Sequence, residues 1–249
     1  MVGNTAIGTL VSLQGGFYPV TGGSGQEVFT RVTGNFMKRV ITDDGEYRPV
    51  GKPQQTTWNG IPKTSLVLEN DSGLRRTVFY FLEQLQEDGG PALAMSLRLD
   101  EAGYADFHGL KARLCGDAVV IGQACITLEL AESGRYVDTA IGMVAGLQVR
   151  PLASNPALAQ AVLGAWSGIT QAGASTFTGA DYNFAADGRF TRRVTVSSDI
   201  VAGHGGLEQG TYQVRGNCIY LRFADGQEET WPLRVEGRVL QLGGASYTR

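Results

Sequence analysis

The sequence predicts an all-β protein, two antiparallel barrel-like domains joined by a short helix, and three observations carry that prediction. Short runs of β-branched and aromatic residues recur between glycine-containing turns from one end of the chain to the other. The 35 glycines far exceed an average share, stand beside only 8 prolines and follow no three-residue period, so they read as turns and exclude collagen. Turn pairs stand at Asp44-Gly45, Asp88-Gly89, Asp187-Gly188, Gly216-Asn217 and Asp225-Gly226, and such pairs supply the positive φ that hairpin loops need. Strands joined this locally make a meander.

Length and composition bound the rest. With 249 residues, 43% of them hydrophobic, the chain can bury one large core or two modest ones. The formal charge is -3 and no Lys/Arg run exceeds a pair, so nucleic acid is not an expected partner. No stretch approaches the roughly 18 to 20 apolar residues of a membrane span. Met1 to Leu13 lacks the basic start and apolar run of a signal peptide, so the chain reads as cytoplasmic, or as periplasmic or secreted if a signal has been removed. Cys115, Cys125 and Cys218 are an odd count without C-x-x-C, which gives neither a zinc site nor a disulfide framework; a Cys115–Cys125 bond stays open. No cofactor is expected.

The first domain, residues 1–153, is read as strands over Glu27–Thr33, Phe36–Thr42, Ser65–Leu68, Arg76–Leu85, Leu93–Leu99, Ala105–Cys115 and Ala124–Leu130. The stretch Asp43–Lys63, with Pro49, Pro53, Trp58 and Pro62, reads as an inserted binding loop. A helix follows over Ser154–Leu163, where Ser154 or Asn155 can cap and Pro156 fits the first turn. It opens the second domain, residues 154–249.

Eight strands are read beyond it: Trp166–Gln171, Phe177–Ala185, Phe190–Val196, Gly210–Val214, Ile219–Phe223, Thr230–Val235, Val239–Leu242 and Ser246–Arg249. Eight short neighbours can close into a barrel and remove their exposed edges. A three-residue loop, Ala186-Asp187-Gly188, pairs Phe184 with Phe190 and Tyr182 with Arg192. Tyr182, Phe184, Phe190, Val194 and Val196 then share the inner face, joined by Tyr212, Val214, Ile219, Leu221, Phe223, Trp231, Leu233, Val235, Leu240 and Leu242. Arg192 stands as the one charge on that wall.

Leu163-Gly164-Ala165-Trp166 opens this segment with G-x-W, Phe184 to Phe190 carries a D-G hairpin, and Tyr247-Thr248-Arg249 ends it. Over about residues 157–249 this resembles the lipocalin-like small barrels, and the resemblance implies that Trp166 and Arg249 pack together at the closed end by a cation–π contact. The family's second motif is not matched. The first domain echoes the pattern, Ile7 to Leu10 against Leu163 to Trp166 and Leu99 to Tyr104 against Phe184 to Arg189, so a diverged second barrel and an unrelated β-sandwich both stay open.

Catalytic chemistry leaves few candidates. His108 and His204 are the only histidines, and no G-x-S-x-G elbow accompanies them. His108 shares a strand face with Tyr104 and Asp106, while His204 lies in the expected loop Ala202–Gly206. The glycines at Gly22-Gly23-Ser24-Gly25 and Gly203–Gly206 lack a P-loop lysine and are expected outside any strand-to-helix turn. Asp43-Asp44-x-Glu46 reads as a hairpin turn, not a calcium loop. Of Glu228 and Glu229, at most one can face the barrel.

What remains is a ligand-binding set, Tyr182, Arg192, Tyr212 and Trp231, suited to a small, largely apolar molecule held in the barrel or at the domain junction with one oxygen on the guanidinium. Two other functions stay open. One is a cofactor-independent cyclase or isomerase, which some lipocalin-like barrels imply and which needs positioning more than acid–base groups. The other is a protein-interaction or envelope-assembly module with solid barrels.

Overall fold

A computed structural model of the protein describes residues 9–42, 47–58, 61–86, 90–100, 104–129, 141–171, 176–198 and 202–249. The chain forms two compact units, one holding Tyr18–Pro151 and the residues up to Gln14, the other holding Leu152–Arg249 together with Gly15–Phe17. Both are antiparallel β structures, as the sequence predicts.

The first unit contains β1 (Thr9–Pro19, apart from Gly15–Phe17), α1 (Gly25–Thr42), β2 (Tyr47–Trp58), β3 (Ile61–Asn70), β4 (Arg75–Leu82), β5 (Ala92–Asp100), β6 (Tyr104–Cys115) and β7 (Ala118–Glu129). They make one seven-stranded sheet in the order β1-β7-β6-β5-β4-β3-β2, so among the described residues no second sheet stacks on it as a sandwich requires. A short helix, α2, covers residues 141–145.

Two expectations fail here. Glu27–Thr33 and Phe36–Thr42 are not strands but parts of α1. Val28, Phe29 and Val32 recur at helical spacing, and they pack on Ala92, Ala94, Leu110, Ala112, Val119 and Ile121 of one sheet face. Ser24 and Glu27 cap the helix reciprocally, the Glu27 amide donating to Ser24 Oγ at 3.2 Å and the Ser24 amide to Glu27 Oε2 at 3.0 Å. The glycines Gly22–Gly25 therefore do occupy a strand-to-helix turn, but Glu27 already supplies the negative charge that the helix start attracts.

The second failure is the expected inserted loop, whose described residues are β2 and the start of β3. Pro49 and Pro53 are tolerated because β2 is the edge of the sheet, and pairing slips between Val50 and Gln54. Cys115 and Cys125, whose bonding the sequence leaves open, are free thiols. Cys115 pairs with Ala118 whereas Cys125 pairs with His108, seven ladder positions away and about 23 Å along the strands. The echoed segments at Ile7-Gly8 and at Glu101–Gly103, and the turns at Asp44-Gly45 and Asp88-Gly89, lie outside the described residues.

The second unit begins with α3 (Pro156–Ala161), capped by Asn155, whose side chain accepts from the Leu158 amide at 3.0 Å. Then come β8 (Gly164–Gln171), β9 (Thr176–Phe184), β10 (Arg189–Ser198), β11 (Ala202–Arg215), β12 (Cys218–Phe223), β13 (Glu228–Glu236), β14 (Val239–Leu242) and β15 (Ala245–Thr248). They close as β10-β11-β12-β13-β14-β15-β8-β9, an eight-stranded antiparallel barrel. Phe184 pairs with Phe190 and Tyr182 with Arg192, the register that the three-residue loop dictates, and Gly188 takes the positive φ of 80° that the loop needs. Ala202–Gly206 is not the expected loop: it continues β11, with His204 opposite Thr195.

The core follows from this register. Trp166, Tyr182, Phe184, Phe190, Tyr212, Ile219, Leu221, Phe223, Leu233, Leu240, Leu242 and Tyr247 are all buried, with Val214, Trp231 and Val235 packed against them. One end is capped by Trp166. Its indole N–H donates to Val162 O at 2.7 Å, and the Arg249 guanidinium carbon stands 4.5 Å from its ring while Nη1 donates to Leu163 O at 3.0 Å.

Candidate functional site

At the other end of the barrel the inner face changes character. The antiparallel order puts the turns at Asp187, Asn217 and Gly237 beside the Trp166 cap and the turns at Ala224–Gln227 and Gly243-Gly244 at the opposite rim. Arg192 on β10 pairs with Tyr182 on β9 and with Glu208 on β11, all facing inward. Glu229, near the rim end of β13, pairs with the inward Leu221 and so faces the same space.

Arg192 Nε donates to Glu208 Oε2 at 2.5 Å, and Nη1 lies 3.1 Å from both Glu229 oxygens. Its guanidinium carbon stands 4.3 Å from the centre of the Phe223 ring. Glu229 Oε2 also accepts from the Trp231 indole N–H at 3.0 Å. The Tyr182 hydroxyl reaches the guanidinium and the Tyr247 hydroxyl, and the two phenol rings meet edge to face at 5.3 Å. Arg192 and Glu229 side chains are 15% and 17% exposed, Glu208 43%, which sets Glu208 at the rim and the other two beneath it.

The protonation states follow from these contacts. Burial opposes the Arg192 charge, but hydrogen bonds to Glu208 and Tyr182 and the charge of Glu229 outweigh it and hold Arg192 above arginine's ordinary value. Burial raises the Tyr182 phenol against the lowering pull of Arg192, and pushes Tyr247 up to about 12. Both phenols are therefore neutral donors at physiological pH.

The four expected ligand residues separate into two groups. Tyr182, Arg192 and Trp231 join one cluster, Trp231 through Glu229. Tyr212 stands elsewhere: its hydroxyl donates to Ala185 O at 2.8 Å and its ring meets Phe184 edge-on at 5.1 Å, next to the Asp187 hairpin. Arg192 is also not the single charge on the wall, because Glu208 and Glu229 share it. Alternation along the strand already marks Glu229 as inward with Trp231. Glu208 lies in a segment where glycines point to a loop, and only the pairing of β11 with β10 turns it inward.

The remaining candidates do not build a second site. Asp106 is held by Arg98 at 2.5 Å, and His108 Nε2 lies 3.7 Å from Cys125 Sγ. Burial, aided by the Asp106 charge against Arg98, keeps the Cys125 thiol above its usual range, so it is not a poised thiolate. Glu228 faces outward and accepts from the Tyr220 hydroxyl at 2.7 Å. Asp43–Glu46 and the side chains of Tyr104, Val196 and His204 lie outside the described residues. Among the described residues no three His, Cys, Asp or Glu side chains gather as a metal centre, and no helix is long and apolar enough to cross a membrane. No family model matches the chain, and no curated protein matches it.

Proposed function

We propose that the second unit is a lipocalin-like barrel that binds a small, largely apolar organic molecule at the rim opposite the Trp166–Arg249 cap. One observation carries this reading: two carboxylates and a guanidinium face inward over a core of aromatic rings. Such a cluster is an expensive way to fill a barrel. Desolvating ionic groups costs several kcal/mol per ion, and apolar replacements of similar volume are often neutral or stabilising by about 1–4 kcal/mol. A polar cluster kept at that cost makes sense as a recognition element. Because Tyr182, Leu221, Phe223 and Tyr247 beneath it are each under a tenth exposed, the ligand rests on the core.

The resemblance to lipocalin-like barrels and the stacked Trp166 and Arg249 at one end support the same assignment of a sealed floor and a ligand-taking rim. The experiment is a fragment screen against the full chain by nitrogen–proton NMR. The chain has 3 tryptophans, hence three indole N–H signals, and a Trp231→Phe variant assigns the reporter at the site. Ligands should move the Trp231 signal and leave that of Trp166 in place. Fragments that move neither, at millimolar concentration, would remove the proposal.

A second reading, a protein-contact module, has its own observation. On the outer face, Ile169 is 77% exposed beside a groove of about 640 Å³ lined by Ser167, Gly168, Gly179, Asp181 and Thr195, where, among the described residues, β8 and β15 pair through Ser167 and Thr248. Copurification of a partner that Ile169→Asp releases is the result that favours it.

A further inference from the structure

The charge balance of the rim cluster narrows the ligand class. Two carboxylates face one guanidinium, leaving one formal negative charge. The hydrogen bonds locate it. Glu229 spends both oxygens on Arg192 Nη1, and Oε2 serves Trp231 as well. Glu208 spends only Oε2, on Arg192 Nε. Among the described residues its other oxygen is the unshared acceptor of the cluster, on a side chain that is 43% exposed and turned inward at the rim.

The same geometry disfavours an anion on Arg192. Nε and Nη1 are engaged by carboxylates, Tyr182 takes a further bond, and Phe223 covers one face of the guanidinium. An incoming carboxylate would have to displace a resident one and add to a surplus of the same sign. A cationic nitrogen meets the opposite situation, a free carboxylate oxygen above aromatic side chains, the combination by which the barrel already holds its own guanidinium.

Resting on the binding-site reading above, we infer that the ligand carries a cationic nitrogen, an amine or a guanidine, on an apolar body, and that Glu208 is the residue that selects it. The nitrogen donates to the free Glu208 oxygen while the body lies against the rim aromatics. Arg192 then acts as a positioning residue that orients Glu208.

Phenethylamine, phenethyl alcohol and 3-phenylpropionate share a body and differ in charge, so titrating each into the full chain while following the Trp231 indole signal tests the inference. The amine should bind at least tenfold more tightly than either other probe. Glu208→Gln should lower the amine to the alcohol's level and leave the alcohol unchanged. Alcohol or acid binding as tightly as the amine, or an amine preference that survives Glu208→Gln, overturns the charge selection and leaves the site standing. No movement of the Trp231 signal with any probe overturns the site, and the inference with it.

Discussion

Both carboxylate oxygens of Glu229 lie 3.1 Å from one terminal nitrogen of Arg192, deep to the rim, whereas Glu208 meets the same guanidinium through one oxygen only. This asymmetry predicts unequal costs. Glu229→Ala leaves Arg192 and the Trp231 N–H without their shared acceptor and should destabilise the barrel by about 2–4 kcal/mol. Glu208→Gln, at the exposed side, should cost under about 1 kcal/mol. Urea unfolding of the two variants measures both, and equal losses would contradict the depth assigned to each.

At the capped end, Arg249 joins a ring contact to Trp166 with a hydrogen bond to Leu163 O. Arg249→Ala should cost about 1–2 kcal/mol. Arg249→Lys should recover little of it, since a lysine cannot stack its charge as a plane. Full rescue by lysine would show that the contact is a point charge alone.

Tyr247, raised from 10.0 to about 12, and Tyr182, raised in the same direction, make the barrel sensitive to base. The folded state holds these protons more tightly than the unfolded chain, so their contribution is whole below pH 10 and is lost as pH climbs through the folded value. The share of stability carried by these two phenols should therefore be flat up to about pH 10 and fall between about 10 and 12, after an earlier loss from about pH 9 that the buried Cys218 thiol, raised from 9.0, contributes. Tyr247→Phe should flatten that fall, as denaturant midpoints across the range would show.

In the first unit, the reciprocal bonds between Ser24 and Glu27 hold the start of α1. Ser24→Ala should cost about 1 kcal/mol and speed amide exchange in the first turn of the helix. Unchanged exchange there would mean that packing of Val28 and Phe29 fixes the helix without its cap.

The barrel is legible in the sequence because its decisive information is local. Asp187-Gly188 sets a loop length, the loop sets the register of Phe184 on Phe190, and alternation then carries the inner face around the sheet. Where information is not local, the reading fails. Gly203 and His204 have no intrinsic reason to extend; they do so because β10 pairs with them, the ladder shifts register at Gly205-Gly206, and the pairing of Arg192 with Glu208 is what aims Glu208 inward. In α1 the β-branched Val28, Thr30, Val32 and Thr33 pull toward strand, and burial against the alanines of β5 and β6 overrides that propensity. The reciprocal Ser24 and Glu27 pattern is the local signal that would have identified the helix. Pro49 and Pro53 argue against a strand unless the strand is known to be an edge, a property of the whole sheet. Of the site, Arg192 and Tyr182 are visible from one hairpin, whereas Glu208 needs the register of β11 on β10 and Glu229 needs β13 to curve round to face β10.

The central claim is that the Arg192–Glu208–Glu229 cluster serves recognition and not stability. Replacing it whole tests this most directly, with Arg192→Met, Glu208→Gln and Glu229→Gln in one chain, the last keeping an acceptor for Trp231. The prediction is a barrel at least as stable to urea as the parent, in which phenethylamine no longer moves the Trp231 indole signal. A triple variant weakened by more than about 2 kcal/mol, or one that still responds to the amine as the parent does, would contradict the account.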